Sequence, residues 1–396
     1  MKRTMTLLAC ALLALWLLGS SALAEERPPL RLGDNIAASK YWKNHGILTT
    51  DRFFAPFATS EEKLAQLRGN DAPDLFGLDT CNDDLEAFKK AGVLADLSGS
   101  EIIREALARM RPETRRLLTT EDGKIVGMPN AHVLRPLYWD QEAWDAAGLT
   151  EADVPQSFIE LLDFLDKWMA RDSSEATVCV IAYPDDAVDD ESRDCAWLVG
   201  LLLDTWEIQR RHAQERVLFD TPEFIALAER AREIGQRLSQ AEPALKKRRK
   251  MPQLFYDETQ SPHFYAFDGR DDGLSHTVPM RIARDQPALT RAEAVVQCVR
   301  AGSEWLAEAL AFMAEDQENV HWALRYSLYT DFAPGEYEGG RVSAGWMADL
   351  AAYDGTIVYL TSGFDRQKEK IALPFAEGKI TAKQLAEGMD AQRTDW

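Results

Sequence analysis

Several polar side chains stand where β-prone runs give way to turns, and they set the chemistry open to this sequence. Asp34 and Asn35 follow the first such run, Asp79 and Asn82 follow a later one, and Asn130, His132 and Arg135 lie within another. Planar amide, carboxylate and guanidinium groups hold hydroxyl groups in fixed directions. A buried site group left without its hydroxyl penalises the wrong solute. Each residue also has an ordinary role: Asp34 and Asp79 as turn or cap residues, His132 and Arg135 as a mutually satisfied pair. Covalent and metal chemistry find no support. The chain contains no Gly-x-Ser-x-Gly, no His-Glu-x-x-His and no glycine-rich phosphate loop. With 65 acids, a carboxylate pair for glycoside cleavage could always be nominated, so such a pair carries no information. The 6 His and 5 Cys show no metal-ligand spacing, and neither a metal nor a cofactor is expected.

Groups of this kind need a scaffold that brings strand ends together. Strands are expected at 29–32, 47–54 and 75–78, alternating with helices at 61–68, capped by Ser60, and at 83–92 and 102–118. That alternation argues for an α/β domain with a mainly parallel sheet, in which ligands bind beyond the carboxyl ends of the strands. A turn at Asp122-Gly123 opens a β-prone run over 124–140, which changes to helical period at 141–147. Gly148 stands where a helix ends on a residue able to adopt positive φ. A helix then starts near 155–157 with Phe158, Leu161, Leu162, Leu165 and Trp168 on one face. Further on, a buried strand is expected at 176–183, an acidic loop at 185–190, and a helix at 195–211 with Trp197 and Trp206 on its apolar face. Thr221 caps a helix at 222–238, and the pattern is poor over 239–290. A strand at 292–300, a helix at 304–315, helices near 345–353 and 365–376, and a Thr381-capped last helix complete the chain.

Residues 1–24 read as an export leader, with Lys2 and Arg3, an apolar run over 7–18, and cleavage after Ala24. A membrane span needs about 20 apolar residues, and Gly19-Ser20-Ser21 cuts this run short. Cys10 lies inside the apolar run, which argues against a lipid anchor. The 396 residues are 46% hydrophobic, enough for two or three compact units. Their formal charge of −20 becomes −22 when Lys2 and Arg3 leave with the leader, so nucleic acid is not expected as a partner. The exception is the basic run at 246–250, expected to be a solvated loop after a helix, with contact to an anionic surface as the alternative. Cys81, Cys179, Cys195 and Cys298 remain after cleavage. Outside the cytosol they could pair, and four cysteines allow three connectivities among which sequence does not choose.

The order Asp122-Gly123-Lys124, Gly127-Met128-Pro129, Tyr138-Trp139-Asp140, Ala147-Gly148-Leu149 and then Pro155 before an amphipathic helix resembles one family. It is that of the family 1 extracellular solute-binding proteins of ABC importers, the sugar-binding type typified by maltose-binding protein. Ala72-Pro73-Asp74 before an apolar strand, Leu94-Ala95-Asp96-Leu97, Ser303 before an alanine-rich helix and the Thr381-capped end match in the same order. Asp140 stands where the family usually has Asn, and Ser157-Phe158 where it usually has Thr-Trp. The resemblance implies a two-lobed periplasmic-binding-protein fold of type II, each lobe a mainly parallel sheet flanked by helices, with a hinge of crossing strands. Lobe 1 is expected to comprise 29–133 with 293–330, and lobe 2 134–292 with 331–396. Asn130, His132 and Arg135 would then lie at the hinge and cleft floor, with Trp197, Phe364 and Asp365 contributed from lobe 2. Trp197 and Phe364 could equally be core. The implied function is capture of a small solute, most simply a sugar, for membrane permease subunits by an exported monomer that is not an enzyme. A sensor or surface binder of the same fold is the alternative, and a secreted carbohydrate-active enzyme a more distant one.

Overall fold

The computed structural model describes residues 27–34, 36, 39–56, 58–134, 137–171, 177–181, 190–243, 245–248, 250–256, 275–278, 280–318, 329–330, 357–359 and 364–391. The expected leader at 1–24, nearly all of the acidic loop at 185–190 and the helix near 345–353 lie outside these residues. The chain enters through β1 (Leu30–Leu32), α1 (Ser39–Asn44), β2 (Thr49–Asp51), α2 (Ser60–Leu67), β3 (Leu75–Asp79) and α3 (Leu85–Ala91). Thr59, not Ser60, caps α2. Its side chain accepts from the Glu62 amide while the Glu62 carboxylate accepts from the Thr59 amide, the reciprocal spacing of a capping box. The helix expected over 102–118 is two, α4 (Glu101–Arg109) and α5 (Pro112–Leu118). Pro112 cannot donate to the preceding turn and drives Arg111 to ψ 146°, so one helix ends and another starts on the proline.

The β-prone run also divides, into β4 (Met128–Leu134) and β5 (Leu137–Asp140), and the two halves enter different sheets. Asp140 caps α6 (Gln141–Ala146) by accepting from the Ala143 amide at 2.8 Å, and Gly148 follows at φ +69°. Ser157 caps α7 (Phe158–Met169), which buries Phe158, Leu161, Leu162 and Leu165 as the spacing demands. Then come α8 (Asp190–His212), α9 (Pro222–Ala241) under its Thr221 cap, and α10 (Leu245–Arg248). β6 (Phe255–Tyr256), β7 (Ser275–Val278), β8 (Thr290–Val299), α11 (Leu306–Glu318), β9 (Ile357–Tyr359), α12 (Phe364–Ala376) and α13 (Ala382–Ala391) complete the described elements. The strand expected over 176–183 is, within the described residues, a single bridge between Cys179 and Gln253.

The larger sheet runs β2-β1-β3-β8-β4, with β9 also paired to β8. β1 is parallel to β2 and β3, and β9 is parallel to β8, whereas β8 is antiparallel to both β3 and β4. The smaller sheet, β6-β5-β7, departs from the parallel expectation: β5 is antiparallel to both neighbours. α6 follows β5 at once, and β5 lies between two strands that run in the opposite direction.

Two separate apolar cores result. The first gathers Leu30, Trp42, Phe76, Phe88, Val296 and Met313, and the second Trp144, Trp206, Phe219, Phe224, Phe255 and Phe375. Fully burying one such side chain contributes about 1.5–3 kcal/mol, so each set can sustain its own lobe. Among the described residues, the chain passes from one core to the other at three places. Met128 belongs to the first core and Leu137 to the second; Leu289 belongs to the second and Ala294 to the first; Val358 belongs to the second while Tyr359 packs against the first.

One expectation about charge is corrected, and the state of the sulfurs, left open by the sequence, is resolved. The basic run at 246–250 is not a wholly solvated loop. Arg248 ends α10 facing inward, where its guanidinium donates to both Asp194 oxygens at 2.7 and 2.9 Å and to the Pro243 carbonyl at 2.7 Å. Cys81, Cys179, Cys195 and Cys298 are all buried and form no disulfide.

Candidate functional site

The strand directions bring the candidate residues to one edge. β4 runs with β3 because both oppose β8, and β3 runs with β1, so the carboxyl ends of β1, β3 and β4 point the same way. Asp79 and Ala131 face the same residue of β8, Val295, from its two sides. This is the edge at which open α/β sheets take ligands.

Asp34 follows β1, and its Oδ2 accepts from the Phe54 amide at 3.0 Å while its carbonyl accepts from Gly77 at 2.8 Å. The carboxylate therefore ties the end of β1 to the segment after β2. Asp79 closes β3 with a turn of its own: Oδ1 accepts from the Cys81 amide at 3.0 Å and Oδ2 from the Asn82 side chain at 2.7 Å. The ordinary turn role is thus filled, and a carboxylate keeps lone pairs beyond those two bonds. Next to them is a pair that composition alone conceals. Lys63, on α2, donates to both oxygens of buried Asp83 at 2.7 and 2.9 Å. Burial pushes the Asp83 carboxyl up, and the Lys63 charge and hydrogen bond work against that rise.

Asn130 sits at a β-bulge, since the register with β8 shifts between Pro129 and Ala131. Bulges re-aim side chains and bend the strand that carries them. His132 lies in β4 opposite Ala294. Trp197 is apart from these groups. It lies on α8, packs against the second core and stacks at a tilt with its centroid 6.5 Å from Phe255. Phe364 and Asp365 open α12 on the second-core side of the chain. Asn35 and Arg135 fall outside the described residues. Asp34, Asp79, Asn82, Asn130 and His132 thus share one edge of one sheet, and Trp197 does not join them.

A second polar cluster escaped the sequence reading. The Tyr359 hydroxyl is 2.7 Å from the Thr114 hydroxyl, beside Arg111 and Glu113 at the start of α5. Burial pushes the Tyr359 phenol above its usual range and holds the Arg111 guanidinium below its own, the latter partly offset by Glu113. Nothing local in the sequence links β9 to Pro112, so only the third crossing reveals the cluster. Burial pushes the Cys179 and Cys195 thiols up to about 12 and raises Cys298 as well, so all three stay protonated at neutral pH. Among the described residues no group of three or more His, Cys, Asp or Glu is arranged to hold a metal ion. No helix among them is long and apolar enough to cross a membrane.

No family model matches the sequence, and no curated protein is similar enough to match it. Solved structures do match. A sugar transporter from Bacillus licheniformis, in complex with stachyose, superposes with a TM-score of 0.63 at 16% identity over 92% of this chain and 98% of that one. A family 1 extracellular solute-binding protein from Bifidobacterium longum subsp. infantis gives 0.55 at 13% identity, over 92% and 98% of the two chains. The fold is that of the two-lobed extracellular solute-binding proteins. A chitin oligosaccharide binding protein gives 0.60 at 13% identity, over 93% and 98%. The edge carrying Asp34, Asp79, Asn82 and His132 belongs to the larger sheet, at the ends of β1 and β3 and beside β4.

Proposed function

We propose that this protein captures a small carbohydrate between its two lobes and delivers it to the membrane subunits of an ABC importer. The observation that carries the reading is the match, over 92% of the chain, to the stachyose-bound sugar transporter. It is supported by a sheet edge that gathers hydroxyl-binding side chains beside three crossing strands. Lobe 1 comprises 29–133 with 293–330 and lobe 2 comprises 134–292 with 331–396. The chain is exported behind a leader cleaved after Ala24, acts as a monomer and carries out no reaction of its own. Carboxylates and amides bind the sugar hydroxyls, aromatic faces cover the apolar side of the ring, and closure excludes water from both. Besides the residues placed above, Asn35, Arg135, Trp197, Phe364 and Asp365 are proposed to contact the ligand.

A thermal-shift screen of the mature chain tests this, using stachyose, mannotriose, tagatose and chito-oligosaccharides beside amino acids and polyamines. A ligand present at about 100 times its dissociation constant stabilises the native state by roughly 2.7 kcal/mol. At least one saccharide should therefore raise the melting temperature while the others leave it unchanged. Stabilisation by an amino acid or polyamine alone would reassign the solute. Cleavage of a glycan without any stabilisation would replace binding by catalysis.

A further inference from the structure

The basic run at 246–250, which the capture of a solute leaves without a task, does not stand alone on the surface. Its middle member, Arg248, turns inward onto Asp194 and the Pro243 carbonyl, and its Nε lies 3.9 Å from Glu242 Oε2. The other oxygen of Glu242 accepts from the Trp168 indole at 3.0 Å. Trp168 is in the last turn of α7, and the Arg171 guanidinium lies over its ring, 4.8 Å from the centroid. One carboxylate, its side chain 4% exposed, thus draws the end of α7 to α10. Lys167 and Arg171, on either side of Trp168, are brought beside Lys247 and Lys250, on either side of Arg248. All four are exposed. The Lys250 amide donates to the Lys247 carbonyl at 3.0 Å, a turn that keeps the two lysines close together.

Acids near this group are already engaged. Asp194 and Glu242 face inward, to Arg248, Ser239 and Trp168. Asp166, exposed on α7, pairs with Arg237 at 2.7 Å. Among the described residues no acid is in ion-pair contact with Lys167, Lys247 or Lys250. The whole chain has a formal charge of −20, so four adjacent cations reverse the field locally on a surface that otherwise repels anions. Lysine is a compact charge on a flexible stem, which suits a diffuse array of phosphates better than one shaped anion. Clusters of about four to eight Lys and Arg suffice to attract a segment to an anionic lipid surface. No helix among the described residues is long and apolar enough to cross a membrane, so such attachment would be peripheral.

We propose that Lys167, Arg171, Lys247 and Lys250 form a docking face for anionic phospholipid headgroups, with Arg248 anchoring the turn that presents it. Such a face holds the exported chain at the membrane that houses its importer without a lipid anchor, and lets it go as salt rises. Of the proposed function this needs only export, and no solute enters the test, so a failed carbohydrate screen leaves it standing.

Co-sedimentation of the mature chain with vesicles reads the prediction. The parent should bind vesicles of phosphatidylglycerol and phosphatidylcholine in equal parts, and not phosphatidylcholine alone. Binding should be present at about 0.1 M salt and lost at about 1 M, where the screening length falls from about 10 to about 3 Å. Lys247→Gln with Lys250→Gln should weaken it roughly tenfold or more. Both side chains are exposed, so the melting temperature should not change. Lys40→Gln with Lys90→Gln removes the same charge from exposed positions on α1 and α3 and should bind as the parent does. Absence of binding by the parent, or equal weakening in the two double variants, would overturn the proposed face. Retention on soluble polyglutamate but not on the acidic vesicles would also overturn it, in favour of an acidic protein partner.

Discussion

Asp74 shows how much one buried side chain can be asked to hold. It precedes β3, is 2% exposed, and accepts from Arg31 Nε at 2.9 Å, Arg31 Nη2 at 3.0 Å, Arg300 Nη2 at 2.9 Å and Ser303 Oγ at 3.0 Å. These contacts join the start of β1, the start of β3 and the end of β8, at the edge of the sheet away from the candidate site. Burial by itself would raise the Asp74 carboxyl, but Arg31 and Arg300 outweigh it and hold the group below the usual carboxylate range. An unfolded aspartate titrates near pH 3.9 or so. The stabilisation is therefore complete above about pH 4 and is lost as the pH falls through the lower folded value. Asp74→Asn should cost about 3 kcal/mol at pH 7, because two guanidinium groups lose their counter-charge. Urea unfolding measured from pH 7 downwards checks both parts: the variant should start lower and fall less steeply in acid. Parallel curves would assign the acid sensitivity to a different carboxylate.

At the level of elements, the contact between α8 and α9 depends on one missing side chain. A Cβ built on Gly235 would lie 2.4 Å from the Cys195 Cα and 2.8 Å from its amide nitrogen, so backbone meets backbone there and cannot yield as a side-chain tip can. Gly235→Ala should force the helices apart and cost about 1–3 kcal/mol, read as a lower urea midpoint with an unchanged slope. An undiminished midpoint would show that the helices slide past each other without loss. The sequence carried no sign of this glycine, because its partner is 40 or so positions away and only packing selects it. Other elements were legible for definite reasons. The 3.6 period of Phe158, Leu161, Leu162 and Leu165, and the cap at Thr221, are local signals that tertiary contacts reinforced. The break at Pro112 was equally local and should have divided the helix expected over 102–118. The antiparallel smaller sheet was not legible, since β6 and β7 are short and lie in a stretch rich in turns. In the site, Asp34, Asp79 and Asn82 could be nominated because they follow strands. Tyr359 and Arg111 of the second polar cluster could not, because distant chain segments create their surroundings.

At the scale of the whole molecule, two cores joined by three crossings raise the question of whether they unfold together. The free thiols offer a test that disturbs nothing. Cys298 is buried in the first core and Cys195 in the second, each held protonated by burial and each unreactive until its own core opens. Without a disulfide, reductant alone should leave the melting temperature unchanged. Thiol labelling across a urea series, with each site located by mass spectrometry, then reports the opening of each lobe separately. The two cores are separate clusters, so the lobes should open at different urea concentrations in the ligand-free chain. Under the proposed function, a saccharide would contact both lobes and stabilise only the state in which both are folded. Saturating ligand should therefore raise both midpoints and draw them together. Coincident midpoints without ligand would mean that the crossings, rather than the solute, make the two lobes one cooperative unit.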